Sequence, residues 1–277
     1  MPELPEVELA RRDLAEWLLG QRVHLHLRDP DLLQADLAAL SGEQLAEVAR
    51  RGKFLLLHFA SGARLVLHFR MTGKLQLTTP EDDATIERRT RLLLEGERAA
   101  VRFVDVRRLG QAWLLGPPTE AGRGGVAEAG VLARLGPEPW PEPLSGAALR
   151  QRLGTTRRAI KVALLDQEVV AGVGNIIAAE SLWLAGVSPR RSSAALSEEA
   201  LGRLGEAIVE VCSRVLAAEE AVDGPIDYIS QSGMDGTTEY FMIYGREGEP
   251  CRRCGAAIER FKQSGRSTWW CPPCQQE

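Results

Sequence analysis

Hydrophobic and polar positions follow three successive regimes along this 277-residue chain. The first is helical. Across residues 6–19, Val7, Ala10, Leu14, Trp17 and Leu18 recur at three- and four-residue intervals, the pattern of one apolar helix face, and Gly20 closes it. From Val23 to residue 115 the runs shorten. Lys53-Phe-Leu-Leu-Leu-His-Phe59 and Arg64-Leu-Val-Leu-His-Phe69 flank Ser61-Gly62, a hairpin signal. Residues 74–77, 90–94, 100–104 and 111–115 continue the series, which predicts a β-sandwich or barrel-like domain. The third regime is helical again. Thr155 or Thr156 can cap a helix over 158–165, Gly172-Val-Gly174 interrupts the chain, Asn175 opens a helix to 185, and a longer one covers 197–218.

Punctuation between the regimes sets the expected domains. Gly116-Pro117-Pro118 and Gly136-Pro-Glu-Pro-Trp-Pro-Glu-Pro143 are stiff and turn-rich, so a linker is placed at 119–143. It separates an N-terminal β domain (1–118) from a helical domain (144–232), and residues 233–277 form a C-terminal module. The fold class is α+β and multi-domain.

That last module carries the most specific spacing in the chain. Cys251-x2-Cys254 and Cys271-x2-Cys274 suit one tetrahedral zinc ion, because each turn aims two thiolates at one centre. A disulfide framework is the competing reading, and it fits poorly with a chain that opens without a secretion signal. Four thiolates close the site, so the ion is structural. Two strands are expected around Gln263-Ser-Gly-Arg266. Arg266 then stands at a hairpin tip, where it either meets an external anion or is a solvated turn arginine. Cys212 lies on a helical pattern and reads as a buried thiol.

Composition adds limits. Hydrophobic residues make up 44%, enough for real cores, and Asn175, Glu180 and Ser181 interrupt the most apolar stretch, so no membrane span is expected. The formal charge of −4 is unfavourable on average for a nucleic-acid binder. Cations nevertheless concentrate between Arg50 and Arg108, while acids gather in the 198–220 region. A cytoplasmic monomer is expected.

The N-terminus holds the candidate chemistry. Removal of Met1 would leave Pro2 as a secondary amine beside Glu3, and an unperturbed terminal amine titrates near pH ~8. Such a nitrogen can attack an aldehyde-like carbon and form an iminium, although Met-Pro-Glu is also an ordinary start.

Taken in order, Pro2-Glu-Leu-Pro-Glu-Val-Glu8, Arg51-Gly-Lys-Phe-Leu-Leu-Leu57, Asp105-Val-Arg-Arg-Leu-Gly110, Leu135-Gly-Pro-Glu-Pro139, Ala171-Gly-Val-Gly-Asn175, Tyr244-Gly-Arg-Glu-Gly-Glu-Pro-Cys251 and the four cysteines resemble the formamidopyrimidine-DNA glycosylase and endonuclease VIII family, with the opening closer to the formamidopyrimidine branch. The resemblance implies an N-terminal helix on a β-sandwich, a helix-two-turn-helix domain and a zinc-finger β-hairpin. It implies a bacterial base-excision repair enzyme of the cytoplasm, nucleoid-associated in function. Such an enzyme is a bifunctional glycosylase and abasic-site lyase acting on oxidised bases (ring-opened purines, 8-oxoguanine) in duplex DNA. Pro2 would be the nucleophile, Glu3 the general acid/base, and Lys53 and Arg266 would act at the reacting sugar and its phosphates. Asn175 and Lys161 would lie near the DNA backbone. Met71, Arg107 and Leu109 would fill the gap left by the extruded base.

Several positions depart from the family pattern. Leu109 stands where Phe is usual, which predicts a weaker stacking probe. Val106 replaces Pro, Arg89 stands where His is common and adds a permanent charge for phosphate, and Ile177 replaces Tyr. The segment 232–243 differs from the usual lesion-covering loop. Oxidised pyrimidines as substrates, or damage binding without catalysis, are the alternatives.

Overall fold

The computed structural model describes residues 1–33, 37, 40–78, 84–116, 130, 132–220 and 240–276. Two compact units are present. Among the described residues the first holds 1–2 and 6–133, and the second holds 3–5, 134–220 and 240–276. The boundaries expected at 118–119 and 232–233 lie outside the described residues.

In the first unit, helix α1 (Leu4–Leu18) begins two residues before the hydrophobic period, because Pro5 is tolerated in a first turn that needs no N–H from it. Val7, Ala10, Leu14 and Leu18 are buried, and Gly20 ends the segment with φ 79°. Eight strands follow: β1 (Arg22–Leu27), β2 (Glu43–Arg51), β3 (Phe54–Phe59), β4 (Arg64–His68), β5 (Gly73–Leu77), β6 (Thr90–Glu95), β7 (Ala100–Asp105) and β8 (Gln111–Leu115). Helix α2 (Ala84–Arg89) precedes β6. Neighbours are ordered β5-β7-β6-β1-β2-β3-β4-β8, all antiparallel.

The link between the two halves of that order is narrow, since β1 and β2 pair only at Arg22–Gln44 and Val23–Glu43. Leu25, Leu75, Leu92, Leu94 and Phe103 from one half share a buried cluster with Leu45, Leu55, Leu57, Leu65 and Leu67 from the other and with the apolar stripe of α1. One core filled from two sheet faces is a sandwich, as expected. The Ser61-Gly62 turn joins β3 to β4 with the anticipated antiparallel register.

The second unit is helical: α3 (Gly146–Leu153), α4 (Ile160–Leu164), α5 (Asn175–Leu184) and α6 (Glu198–Glu220). Helix α3 is not apparent from the hydrophobic period; Ser145 caps it, its hydroxyl accepting from the Ala148 amide at 3.2 Å. The cap expected at Thr155 or Thr156 is not formed. Helix α4 starts at Ile160 after Ala159 without a side-chain cap, and Thr156 instead accepts from the Arg158 amide in the preceding turn. Helix α6 buries Leu201, Leu204, Ile208, Val211 and Cys212 along one stripe. Strands β9 (Glu259–Gln263) and β10 (Arg266–Trp270) form the C-terminal hairpin around Ser264-Gly265, both at positive φ. Among the described residues no helix is long and apolar enough to cross a membrane.

Candidate active site and zinc centre

The break at Gly172-Val-Gly174 turns the backbone into helix α5 and leaves its first amides without intrahelical acceptors. Glu3 supplies those acceptors. Its carboxylate, 3% exposed, receives the Gly174 and Ile177 amides on Oε2 at 3.0 and 3.1 Å and the Ile176 amide on Oε1 at 2.9 Å. The Leu4 amide donates to Gly172 O at 3.2 Å. Gly172 adopts φ 82°, and a Cβ on Gly174 would overlap the Glu3 carboxyl group. Gly174 is therefore required by this seat, and Gly172 by its left-handed backbone and its contact with Leu4.

Asn175, the first residue of α5, is gripped from the side. Lys161 donates from Nζ to Asn175 Oδ1 at 2.7 Å, to Ser267 O at 3.1 Å and to Thr268 Oγ1 at 2.7 Å. Asn175 Nδ2 also donates to Ser267 O at 3.1 Å. Tyr244 hydrogen-bonds the Asn175 side chain, and its ring lies 4.4 Å from that of Trp269. Lys161 is 1% exposed; burial and the nearby Arg266 cation push its ammonium down to about 8, against the opposing pull of Glu3. Arg266, next to Ser267 in β10, is exposed. Glu3, Asn175, Lys161 and Arg266 thus belong to one connected cluster, with Lys161 facing inward as its brace.

The same hairpin carries the cysteines. The sulfur atoms of Cys251, Cys254, Cys271 and Cys274 lie within 4.8 Å of one another. A zinc ion with Zn–S distances of about 2.3 Å requires tetrahedral S···S separations of roughly 3.8 Å. Observed values of 3.9 Å for Cys251–Cys274 and 3.4 Å for Cys254–Cys271 fit that requirement. Burial raises the Cys251 thiol, but N–H groups of Arg253, Cys254 and the Trp183 indole bring it down to about 6, whereas burial pushes the Cys271 thiol up and that of Cys274 up to about 11. The cluster is positioned to bind one zinc ion.

In the first unit, Pro2 is buried and Lys53 (7% exposed) follows Gly52, φ 57°, in the β2–β3 turn. Lys53 and Arg70 add to burial in pushing His68 down to about 3, so its ring is neutral and Nδ1 accepts the Arg70 amide at 3.2 Å. Met71 and Leu109 are exposed apolar side chains, at 41% and 42%, and Arg107 is exposed as well. Arg89 is exposed at the end of α2. The expected loop change at 232–243 falls largely outside the described residues, since only 240–243 are among them.

Comparison with known proteins is consistent along the chain. Residues 1–112 match the formamidopyrimidine-DNA glycosylase N-terminal domain, 135–223 the H2TH domain of the same enzymes, and 248–276 a zinc finger found in FPG and IleRS. A formamidopyrimidine-DNA glycosylase of Synechococcus elongatus is 41% identical over 289 residues, covering 99% of this chain and 97% of that protein. The chain belongs to the formamidopyrimidine-DNA glycosylase family.

Solved structures of that family superpose closely. Lactococcus lactis Fpg in complex with DNA containing an abasic site gives a TM-score of 0.83 at 30% identity, covering 99% of this chain and 100% of that one. The same enzyme with DNA containing FAPY-dG gives 0.83 at 30%, with the same coverage. Measured against this family fold, the residues that the sequence reading does not mark are Tyr244, His68 and Glu180. Tyr244 opens one of the family-like motifs, but no spacing marks its hydroxyl as a partner of Asn175. His68 ends an apolar strand and reads there as an edge polar residue. Glu180 is 0% exposed and accepts from the Met242, Ile243 and Tyr244 amides, each at 2.9 Å, and from Arg214 at 2.8 Å. Its signal was available: a lone carboxylate inside an apolar helix must have partners.

Proposed function

We propose that the chain is a bifunctional DNA glycosylase and abasic-site lyase of base-excision repair, removing ring-opened and other oxidised purines from duplex DNA in a bacterial cytoplasm. The observation that carries the reading is the seat of Glu3. The residue immediately after Pro2 is locked by the amides of Gly174, Ile176 and Ile177, so the chain beside the terminal nitrogen is held in one conformation.

Once Met1 is removed, the Pro2 nitrogen attacks C1′ of an extruded nucleotide as the base departs, giving an iminium. Glu3 protonates the opening sugar and shuttles protons in the later steps. The iminium acidifies the adjacent sugar carbon, and β- then δ-elimination release the lesion's sugar. Lys53, Asn175 and Arg266 hold the flanking phosphates, Arg89 adds a further phosphate contact, and Lys161 braces Asn175. Met71, Arg107 and Leu109 occupy the space of the extruded base, whose removal from the stack costs a few kcal/mol. The purine preference is supported by relatives named for formamidopyrimidine lesions.

Borohydride reduction on a duplex containing an abasic site tests the reading. A covalent adduct mapped to Pro2 by mass spectrometry is expected, together with its loss when the N-terminus is extended by one residue. Tight binding without an adduct would instead favour a damage-binding protein, and a parallel panel of oxidised purines and pyrimidines fixes the base class.

A further inference from the structure

The turns bearing Met71 and Leu109 are far apart in sequence yet tied by one small polar triangle. Thr72 Oγ1 donates to Asp105 Oδ1 at 2.5 Å, and the Arg107 amide donates to both Thr72 Oγ1 and Asp105 Oδ1 at 3.2 Å. The other oxygen of Asp105 accepts the Gly110 amide at 2.6 Å. Behind it, Arg91 donates to Gly110 O at 2.7 Å and to Asp29 Oδ2 at 2.7 Å. Arg91, Asp29 and Asp105 are 1%, 2% and 0% exposed, so these polar groups hold one another in a dry environment.

Below the triangle, the Phe103 ring stacks on Phe69 at 5.7 Å, and both turns close onto it. A Cβ on Gly73 would meet Phe103 at 2.8 Å and one on Gly110 at 2.6 Å. The residues beside the exposed apolar tips are strained: Arg70 has φ 54° and Arg108 has φ 52°. Left-handed backbone at non-glycine residues persists only where its surroundings over-determine it. Here those surroundings are the Thr72–Asp105–Arg107 triangle and the Phe103 shelf.

We infer that Thr72 and Asp105 latch the two turns into a single stiff insertion element, making Thr72 a positioning residue for the step that extrudes a damaged base. The inference rests on the glycosylase reading above. A stiff element keeps Met71 and Leu109 presented before contact, so their ordering is not a cost of inserting them into the duplex. This matters more here because Leu109 has no flat ring with which to stack. With the latch released, Arg70 and Arg108 can relax and the tips lose register.

The test compares the full-length, zinc-loaded protein with Thr72→Val, which removes the hydroxyl at nearly constant shape, and Thr72→Ser, which restores it. Two DNA substrates separate extrusion from chemistry: a duplex with a damaged purine, and a single strand with an abasic site, where nothing must be unstacked. Loss of a charge-assisted hydrogen bond should lower kcat/KM of Thr72→Val on the duplex roughly tenfold. Borohydride trapping on the single strand should change less than twofold, and Thr72→Ser should recover the duplex rate. Exchange of the Arg107 amide proton should accelerate in the valine variant only. Wild-type duplex kinetics in Thr72→Val overturn the latch, as does an equal loss on both substrates. If the wild-type protein neither excises nor is trapped, the glycosylase reading fails instead. The latch is then judged on the Arg107 amide, where unchanged exchange refutes it.

Discussion

Lys161→Met offers a quantitative check on the cluster around Asn175. The wild-type ammonium is 1% exposed and depressed from 10.5 to about 8, chiefly by burial and then by Arg266. Because the folded value lies below the unfolded one, the unfolded chain binds this proton more tightly. The penalty for burying the charge is therefore present in full below pH 8 and fades as the pH rises towards 10.5. The gap corresponds to ~3 kcal/mol at one proton, using 1.36 kcal/mol per tenfold. Methionine has no proton to lose, so the stability of wild type relative to Lys161→Met should increase by ~2 kcal/mol between pH 7.5 and 10. Chemical unfolding of both zinc-loaded proteins at several pH values measures this, and titrations elsewhere in the chain cancel in the difference. At neutral pH the variant should be close to wild type in stability, since the lost hydrogen bonds offset the relieved burial, yet weaker in DNA cleavage because Asn175 loses its brace. A difference that stays flat across this range would show that Lys161 is not buried as a charged group, and the account of the cluster would fail.

Three other outcomes follow from the same geometry. Glu3→Gln places an NH2 group against backbone N–H donors, so base excision should be lost and stability should fall by ~1–3 kcal/mol while duplex binding persists; wild-type excision in this variant removes Glu3 from its role. Gly174→Ala drives a Cβ into the Glu3 carboxyl group, so borohydride trapping should fall at least tenfold with zinc content unchanged; full trapping refutes the seat. Chelation of zinc removes a contribution on the order of 10 kcal/mol from a hairpin whose apolar cluster includes the ligating Cys251 and Cys271; DNA affinity should collapse as Ser267 and Thr268 leave Lys161, and undiminished affinity in metal-free protein contradicts the coupling of hairpin and Asn175.

What could be read from the sequence is what depends on near neighbours. Strands β3 to β8 follow apolar runs that no helix would produce, and the cysteine pairs carry their own geometry. Helix α3 escaped because Gly146-Ala-Ala-Leu-Arg-Gln-Arg-Leu153 shows only two apolar anchors, Leu149 and Leu153, too few for a period. Tertiary packing against α6 stabilises it instead, with Gly205 so close to Leu144 O that a side chain there would overlap it. The family motifs picked out Glu3, Asn175 and Arg266 individually. They did not reveal Lys161 as the buried link among them, because a lysine among Ile160, Val162 and Ala163 looks the same whether it faces inward or outward.

The hidden part of this protein has a common form. Glu3 receives three amides, at Gly174, Ile176 and Ile177. Glu180 receives three, at Met242, Ile243 and Tyr244. Asp105 receives two, at Arg107 and Gly110. Each carboxylate is nearly inaccessible, and each accepts amides of a turn or helix start that lack a backbone partner of their own. A buried carboxylate is costly unless such donors surround it, and buried amides are costly unless they find such an acceptor. The pairing is therefore mutually enforcing and tolerates little displacement. Each of the three anchors adjoins a residue of the proposed site or one that touches it: Pro2 beside Glu3, Tyr244, which contacts Asn175, beyond Glu180, and the Met71–Leu109 element at Asp105. A fold that must hold an extruded nucleotide cannot place these groups on strands alone, because strands would pair their amides with one another. Acidic side chains acting as backbone acceptors let irregular segments be as rigid as regular strands, and that rigidity is what the proposed reaction requires.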